Sequence, residues 1–378
     1  MSEVSRRRVR GGELLNTLGP EGTSMLEPVT VTVVNFNGSH YIVDCLEAIG
    51  SLEPAPFETI VVDNASEDGS ADLVASRFPE VRLIRLPANE GPCPARNRGL
   101  EEARTRLVFQ LDGDVIVAPD CLERLLKAFL SGPDVVVAQP RALFDDDRER
   151  IHYDGAHFHY VGLMTLRHFY GRLAEADTGA VEVDAGISLA LLVDREVVLR
   201  AGGYDPAFFI LFEDHDLCYR LRARGHRILV VTDALVYHRQ GTAGISYRQG
   251  PHYPRQRAWL HARNRWLILA KNHRLSTLLL TAPGLVLFDA AWLLFSLRRG
   301  LAVPYLRGKW CFFKLLPHVW RERRRFARAR LLGDRALLDA RPLTITPLIG
   351  RSSLLARAER ALNALLDFWW RVVRAFVR

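Results

Sequence analysis

Two carboxylates separated by one residue follow a short apolar segment of the chain. The segment 107–111 has the composition of a buried strand, and it runs directly into Asp112, Gly113 and Asp114. Carboxylates buried at a strand end are unfavourable unless a positive charge meets them. The carboxyl ends of strands in an open α/β sheet are also where ligands bind. The pattern therefore predicts a hard divalent cation, with phosphate oxygens of a substrate completing its coordination. A turn in which both Asp side chains bond backbone N–H groups explains the same residues equally well.

A second acidic cluster follows the aromatic run 208–212 and consists of Glu213, Asp214 and Asp216. Carboxylates in the first turn of a helix favour the macrodipole, which explains one or two of them without any function. Three carboxylates in four positions beside an apolar wall are harder to explain in that way. Such a wall raises the pKa of a carboxyl group and prepares it for proton transfer. We therefore predict a general base here, with Asp214 as the candidate.

Histidines occur in two further places that bear on this site. His238 ends the strand-like segment 234–238, where a hydrogen-bonded core histidine is the simpler interpretation and a third metal ligand is the alternative. Residues 152–170 are rich in histidine and aromatic residues, but their spacing is irregular for a metal site. We interpret that stretch as the lining of a pocket or as core.

Strand-like and helix-like segments alternate along the first part of the chain. Apolar or β-branched runs, each followed by a polar or glycine-containing turn, occur at 29–34, 57–62, 81–86 and 107–111. Connections of about a dozen residues or more between them predict a mostly parallel α/β sheet with helices on both faces. The chain has neither a GxGxxG nor a GxxxxGK[ST] pattern, which disfavours dinucleotide-binding and P-loop proteins. A bound phosphate would therefore need the metal.

Composition and charge divide the chain into two unlike parts. Its 378 residues are 48% hydrophobic and 25% charged, which is ordinary for a folded protein of about two domains. Five scattered cysteines without CxxC spacing indicate a reducing compartment and neither a disulfide framework nor a zinc site. Residues 255–378 hold 25 Lys and Arg against six Asp and Glu, whereas the remainder is acidic. Leu, Phe and Trp interleave with the basic residues, so an anionic membrane surface is favoured over nucleic acid as the partner.

The longest apolar stretch lies in the basic part, at 275–297, and Asp289 is its one charged residue. It is long enough to span a bilayer. Pro283, Gly284 and Asp289 interrupt it, so a hairpin dipping into one leaflet, or packing against the first domain, is favoured over a full span. The basic, Trp-containing segment 354–378 suits a helix lying among lipid headgroups.

The order of Asp63, Arg96, the pair Asp112 and Asp114, and the acidic cluster around Asp214 resembles the family 2 glycosyltransferases with the GT-A fold. The likeness covers about residues 29–270, and it is strongest to the rhamnosyltransferase-like and polysaccharide-assembly branch. One departure is Pro92-Cys93-Pro94, which stands where that family usually has small residues.

The resemblance implies a role for each of these positions. Asn35, at the end of the first strand, and Asp63 would hold the nucleotide base, and Arg96 would lie near the base or the diphosphate. Asp112 would bind ribose and metal, and Asp114 would bind Mg²⁺ or Mn²⁺, with His238 as the possible third ligand. Asp214 would be the base that activates the acceptor.

Composition, charge and the resemblance together predict a division of the chain. A flexible basic arm occupies 1–27 and a GT-A catalytic domain occupies 28–254, with its nucleotide-sugar half at about 28–118 and its acceptor half at about 119–254. The remaining residues, 255–378, form a basic, apolar helical region associated with a membrane.

The expected activity is inverting transfer of a sugar, rhamnose-like or another hexose, from a UDP- or dTDP-linked donor. The acceptor is the hydroxyl of a glycan or lipid-linked molecule in cell-envelope polysaccharide synthesis, on the cytoplasmic side of the membrane. The QxxRW signature of processive synthases is absent, because Gln256 is followed by Arg257-Ala258-Trp259. We therefore expect one sugar to be transferred per encounter.

Three other classes remain open. A glycoside hydrolase also uses paired carboxylates but needs no nucleotide pocket. A sugar-phosphate nucleotidyltransferase would carry a basic, glycine-rich loop after the first strand, and Asn35-Phe36-Asn37-Gly38 has no basic residue. A non-catalytic, membrane-bound protein that binds nucleotide would be expected to lack Asp214 or the Asp112–Asp114 pair, and all three residues are present.

Overall fold

A computed structural model describes residues 27–239, 241, 244–246, 252–344 and 353–378. The predicted basic arm lies outside these ranges except for its last residue, Glu27.

The first part of the chain builds four parallel strands with a helix between each successive pair. The elements are β1 (Val29–Asn35), α1 (Ile42–Gly50), β2 (Glu58–Asp63), α2 (Ser70–Arg77), β3 (Arg82–Arg85), α3 (Pro92–Glu102) and β4 (Leu107–Asp112). β1 pairs in parallel with both β2 and β4, and β2 pairs with β3. Parallel pairing requires long crossovers, and the helices supply them. Each predicted strand is found within two residues of its expected ends.

The second part of the chain extends the same sheet with shorter and more varied elements. They are β5 (Val115–Val117), α4 (Cys121–Phe129), β6 (Val135–Phe144), β7 (Ile151–Tyr153), β8 (Ala156–His159), β9 (Leu163–Leu166), β10 (Ala180–Val183), β11 (Ala190–Asp194), α5 (Arg195–Arg200), α6 (Glu213–Arg222) and β12 (Arg227–His238).

The main sheet is mixed, with the strand order β10-β12-β6-β11-β4-β1-β2-β3. The strand β11 lies between β4 and β6 and runs antiparallel to both. The predicted α/β class is confirmed, while parallel pairing covers β1 to β4 and the pair of β6 with β12. Between β10 and β11 the chain leaves the sheet at the small residues Ala185 and Gly186. That break brings Ile187 and Ser188 to the carboxyl edge of β4.

The basic C-terminal part consists mainly of helices: α7 (Arg255–Asn272), α8 (Leu275–Arg298), α9 (Ala302–Lys314), α10 (Leu316–Ala329), α11 (Asp334–Leu337) and α12 (Ser353–Val373). A two-residue strand, β13 (Leu338–Asp339), joins β8 and β9 in a second small sheet. Trp370 of α12 stacks on Tyr160 with ring centroids 5.2 Å apart, and the Tyr160 hydroxyl donates to the Leu366 carbonyl. The expected boundary at 254 therefore separates two segments that share one apolar core.

Among the described helices, α8 is long and apolar enough to cross a membrane, and 17% of its most apolar window is buried. Its one acidic residue, Asp289, accepts from Arg265 Nη1 at 2.8 Å and from Lys309 Nζ at 2.6 Å. These contacts fix one side of α8 against α7 and α9.

A buried ion network joins α7 to the helix that begins with the acidic cluster. Lys271 Nζ lies 2.5 Å from Asp205 Oδ2 and 2.9 Å from Asp216 Oδ2, and the Lys271 side chain is 3% exposed. Asp216 also pairs with Arg220, and these two cations hold its pKa below the usual value although burial opposes that. The C-terminal helices thus neutralise charge inside the part of the chain that holds the acidic cluster.

Replacement of Lys271 by alanine should leave two buried carboxylates short of one cation. We expect Lys271→Ala to lower the free energy of unfolding by about 3–5 kcal/mol, the usual cost of breaking a buried ion pair. The measurement is chemical denaturation at neutral pH. Lys314→Ala, at the exposed end of α9, is the matched control, and equal midpoints for the two variants would contradict the structural role.

Candidate active site

The ends of β1, β2 and β4 meet at one edge of the sheet, as parallel pairing requires. Asn35 is in register with Asp63. Asn35 Nδ2 donates to Asp63 Oδ1 at 2.7 Å and to Ser70 Oγ at 2.8 Å. Both predicted base-binding residues are at most 2% exposed, and they lie behind the residues that line the neighbouring cavity. They fix the loops of this edge, and contact with a nucleotide base stays a prediction for them.

Arg96 links the two predicted carboxylate clusters. It lies on α3, is 5% exposed, and bonds Asp112 Oδ1 through Nη2 at 2.7 Å and Glu213 Oε1 through Nη1 at 2.9 Å. Burial alone would lower the pKa of Arg96, but the two carboxylates raise it above its usual value. Burial raises the pKa of Asp112, with Arg96 opposing that shift. The guanidinium therefore fixes the end of β4 against the start of α6.

Asp114 lies beside His238. Such proximity is required if His238 is a third metal ligand. The distance between Asp114 Oδ2 and His238 Nε2 is 3.1 Å, and the backbone N–H of Gly241 donates to the same oxygen at 2.7 Å. Burial would raise the pKa of Asp114, but His238 and the Gly241 amide outweigh it and lower the pKa to about 2. His238 Nδ1 lies 2.9 Å from His152 Nδ1, which fixes the orientation of the imidazole.

The chemistry of these side chains fits a divalent cation. Two carboxylates and one imidazole offer the oxygen-rich ligand set that Mn²⁺ or Mg²⁺ accepts, and second-contact partners such as His152 orient the ligand. Asp114 stays ionised at neutral pH, as a ligand must. Arg96 occupies one oxygen of Asp112, so a cation would meet the other oxygen.

Another cluster with metal-ligand side chains is present elsewhere in the described residues. The potential ligand atoms of Asp154, His168 and Asp177 all lie within 4.8 Å of one another. Arg141 Nη2 bonds Asp154 at 3.1 Å, and Arg167 Nη2 bonds Asp177 at 2.5 Å. Two guanidinium groups thus already neutralise these carboxylates.

Asp214 is the second residue of α6 and lines the same cavity as Asp112 and Asp114. Burial, followed by the charge of Glu213, raises its pKa to about 7, while the amide of His215 and the backbone of Ser188 oppose the shift. A carboxyl group with a pKa near neutrality is suited to accept a proton from a substrate. The neighbouring Asp216 is fully buried and is paired with Lys271, so it is not available to accept a proton from a substrate.

The turn before Asp214 has unusual backbone geometry. Phe209, Leu211 and Phe212 have φ angles of 63°, 70° and 72°, which bulky residues rarely adopt. Asn264 Nδ2 on α7 donates to the carbonyls of Phe208, Ile210 and Leu211 at 2.7–3.0 Å. Conformations of this kind persist only where surrounding contacts enforce them, and they cluster at functional sites. Asn264 therefore fixes the turn that carries the candidate base.

The loop that departs from the usual small residues also contacts this turn. Gly91 has a φ of 89°, and a Cβ atom there would lie 2.6 Å from the Phe209 carbonyl oxygen. The helix α3 begins at Pro92, and the buried Cys93 thiol donates to the same carbonyl at 3.4 Å. Glycine is thus required at position 91 because the two loops approach so closely.

Several residues of the site carried no clear signal in the sequence. Tyr41 lines the cavity, and burial together with the charge of Asp114 raises its pKa to about 12, so it remains a neutral hydroxyl. Asn264 and Glu213 act through partners more than fifty residues away along the chain. Ser188, in the small-residue break between β10 and β11, also lines the cavity.

The cavity has a volume of about 1120 Å³ and lies between the Asp112–Asp114 pair and Asp214. Asp112 and Asp114 lie on the wall formed by the parallel strands, and Asp214 lies on the wall formed by α6. The cavity therefore places a carboxylate pair suited to a cation opposite a carboxyl group whose pKa is raised.

Part of the chain matches a known family. Residues 30–187 match the family described as glycosyl transferase family 2. The match extends from β1 to the break before β11 and supports a glycosyltransferase.

Two of the similar proteins have names that refer to polysaccharide synthesis. The chain is 33% identical over 154 residues to the succinoglycan biosynthesis protein ExoO of Rhizobium meliloti, covering 40% of this chain and 44% of that protein. It is 24% identical over 207 residues to the poly-beta-1,6-N-acetyl-D-glucosamine synthase of Staphylococcus aureus, covering 54% of this chain and 48% of that protein. The chain thus spans about half the length of these relatives.

Among solved structures, the fold is similar to that of GalNAc-T7 crystallised with UDP, GalNAc and Mn²⁺. The TM-score is 0.51 at 16% sequence identity, and the alignment covers 66% of this chain and 49% of the other. At this identity the likeness establishes the GT-A-like fold.

Loss of the Asn264 side-chain bonds should relax the turn before Asp214. We expect Asn264→Leu to lower turnover by about tenfold to a hundredfold, because small misplacement of a reacting group is costly. Donor affinity should not change, since no residue of the β4 edge is altered. Asn363→Leu, which also removes one Asn–backbone bond, is the control. Parallel loss of donor affinity and turnover would indicate general unfolding and contradict a positioning role.

Proposed function

We propose that this protein is an inverting, metal-dependent glycosyltransferase of envelope polysaccharide synthesis. It transfers a rhamnose-like or other hexose from a UDP- or dTDP-linked donor to a hydroxyl of a glycan or lipid-linked acceptor. The observation that carries the proposal is the placement of Asp114 and Asp214 on opposite walls of one cavity. The family match and the polysaccharide-synthesis relatives support the same reaction class.

The donor diphosphate binds at the carboxyl end of β4. Asp112, Asp114 and His238 hold the cation, which when bound supplies positive charge against the diphosphate leaving group. The hydroxyl of Tyr41 and the backbone amides of this edge are further donors to phosphate oxygens. Arg96 keeps Asp112 in place and limits its negative charge, so the strand end tolerates an anionic ligand.

The acceptor hydroxyl binds on the α6 side of the cavity. Asp214 accepts its proton as the oxygen attacks the anomeric carbon from the face opposite the leaving group. One displacement of this kind inverts the anomeric configuration. The apolar turn 208–212 excludes water from the carboxyl group, which maintains its basicity.

Donor binding should require the cation. Calorimetric titration with UDP, and separately with dTDP, should give affinity in Mn²⁺ about tenfold or more above that in EDTA, since a diphosphate beside two carboxylates is otherwise repelled. Asp114→Asn should remove this difference, whereas Asp147→Asn in the exposed acidic turn should not. Equal affinity in Mn²⁺ and EDTA for wild-type protein would contradict the metal role.

Turnover should depend on the ionised form of Asp214. Asp214→Asn is expected to lower the rate of nucleoside diphosphate release by roughly two to four orders of magnitude, the usual share of a general base, while UDP affinity is retained. In wild-type protein the rate should rise with pH through about 7, because the pKa of Asp214 is raised to about 7 and only the ionised form accepts a proton.

The control for this experiment is Glu196→Gln, which changes a carboxylate in the first turn of α5. Its rate should equal that of the wild type. Near-normal turnover in Asp214→Asn would exclude the role. Asp216 is paired with Lys271 and Arg220, so suspicion would then fall on Glu213.

We also propose that the C-terminal helices bind peripherally to the anionic cytoplasmic surface of a membrane. One face of α9 exposes Val303, Leu306, Trp310 and Phe313, at helical spacing and between 51% and 70% exposed. The adjacent α10 is rich in arginine. An exposed apolar stripe beside basic residues is the pattern of an interfacial helix.

Membrane binding can be measured by flotation with vesicles of phosphatidylglycerol and phosphatidylcholine. Leu306→Glu combined with Trp310→Glu should lower the bound fraction by about tenfold. The two carboxylates would not enter the apolar layer of the membrane as Leu306 and Trp310 do. Added salt should weaken wild-type binding. Leu130→Glu, at a leucine that is 50% exposed and follows α4 directly, should have no effect. Unchanged flotation of the double variant would refute this surface.

A further inference from the structure

Tyr204 lies behind the candidate site, between α5 and α6. It is fully buried, and it is not among the described residues that line the cavity. Asn97 of α3 fixes its backbone on both sides: the Tyr204 N–H donates to Asn97 Oδ1, and Asn97 Nδ2 donates to the Tyr204 carbonyl, each at 2.8 Å. Gly203 is required before it, because its φ is 61° and a Cβ atom there would lie 2.5 Å from Asn97 Oδ1. The backbone thus determines where this side chain lies.

The Tyr204 hydroxyl belongs to a chain of hydrogen bonds with a fixed direction. Gln110 Nε2 donates to the Arg96 carbonyl at 3.1 Å, so Gln110 presents its Oε1 to the tyrosine. Tyr204 Oη therefore donates to Gln110 Oε1 at 3.1 Å, and it accepts from Ser188 Oγ at 3.3 Å. Burial raises the pKa of Tyr204 above its usual value, so the phenol keeps the proton that it donates. The single proton of the Ser188 hydroxyl is thereby directed to Tyr204.

One end of this chain lies beside the candidate base. Ser188 and Asp214 both line the cavity. Burial, followed by the charge of Glu213, raises the pKa of Asp214 to about 7. The backbone of Ser188 opposes that rise, together with the His215 amide and Arg96. Displacement of Ser188 would therefore make Asp214 harder to ionise.

The ring of Tyr204 supports the bridge between the two walls of the cavity. The guanidinium carbon of Arg96 lies 5.6 Å from the ring centroid, within the range of a cation–π contact. The same guanidinium bonds Asp112 and Glu213. Arg96 is thus held by Tyr204 twice, directly through the ring and at its backbone carbonyl through Gln110.

We propose that Tyr204 is a positioning residue of the transfer reaction, which holds Arg96 with its ring and Ser188 with its hydroxyl. It acts through these two neighbours and contacts neither donor nor acceptor. The inference rests on the proposed transferase function and adds to it a residue from outside the cavity. A phenylalanine would occupy the same space in the core, so the hydroxyl and the ring can be tested separately.

The first test compares turnover in Tyr204→Phe and Ser188→Ala. Turnover is the release of UDP from UDP-glucose and of dTDP from dTDP-rhamnose in Mn²⁺, with water as the acceptor. Each variant should be about two- to tenfold slower than the wild type, the share of one hydrogen bond, at unchanged affinity for UDP. The double variant should be no slower than either single variant, because both changes remove the same bond.

The control is Tyr160→Phe, which removes another fully buried phenol. The Tyr160 hydroxyl donates to the Leu366 carbonyl, and Tyr160 is not among the described residues that line the cavity. Its turnover should equal that of the wild type. Tyr204→Leu, which also removes the ring below Arg96, should in addition weaken UDP binding in Mn²⁺ by about threefold or more, since a cation–π contact is lost. Tyr160→Leu should leave UDP binding unchanged.

A titration that does not depend on turnover uses the free energy of unfolding. Relative to Asp214→Asn, the stability of wild-type protein should decline as pH rises, up to about pH 7, where folded Asp214 ionises. In the Tyr204→Phe background the decline should continue to higher pH, because Ser188 no longer favours the ionised carboxylate as strongly. The same comparison in the Tyr160→Phe background should reproduce the wild-type limit.

Wild-type turnover in Tyr204→Phe, additive losses in the double variant, or an equal loss in Tyr160→Phe would each overturn the positioning role. An unchanged pH limit for Asp214 in the Tyr204→Phe background would overturn it too. These outcomes are separate from failure of the transferase proposal. If neither UDP nor dTDP binds in Mn²⁺, the transferase function fails, whereas the unfolding titration still decides whether Tyr204 holds Ser188 beside Asp214.

Discussion

The bridge from Arg96 to Asp112 and Glu213 is the contact on which the site depends. Asp112 ends a strand of the sheet and Glu213 begins a helix, and the guanidinium between them is 5% exposed. Buried charges are tolerated when each has a hydrogen-bonded partner, and removal of one leaves the others uncompensated. A planar guanidinium bonds two carboxylates in a fixed geometry, which an ammonium group does not. The distance between the two walls of the cavity is therefore set by one side chain.

The helices that follow the matched domain complete the site rather than merely adjoin it. Asn264 of α7 enforces the strained turn before Asp214, and Lys271 of the same helix neutralises Asp216 in the next turn. Trp370 stacks on Tyr160 in the core of the second half of the sheet. Since α7 also contacts α8 and α9 through Arg265 and Asp289, the surface proposed to meet the membrane is joined rigidly to the candidate base. The helix α7 thus contacts both the turn before Asp214 and the helix pair that carries the proposed membrane surface.

Local signals in the sequence were sufficient for the parallel strands and for the carboxylates at their ends. The strand β11 was not predictable as a separate antiparallel element, because its pairing with β4 and β6 depends on residues far away along the chain. The same reason explains why Asn264 was missed as a site residue: an asparagine inside a helix has no signature until the turn that it bonds is known. The resemblance implies that Asp214 is the base, and the structure adds the burial that raises its pKa.

The burial of Asp214 has opposite effects on folding and on chemistry. Its pKa rises from 3.8 to about 7, so between these values the folded protein binds a proton that the unfolded chain does not. The contribution of this group to stability therefore declines as pH rises through that window. The neighbouring Asp216 has a lowered pKa because Arg220 and Lys271 surround it, so it remains ionised and does not compete for the proton. Two carboxylates two residues apart on one helix are thus given different protonation states by their partners, and the one with the raised pKa is the one that lines the cavity.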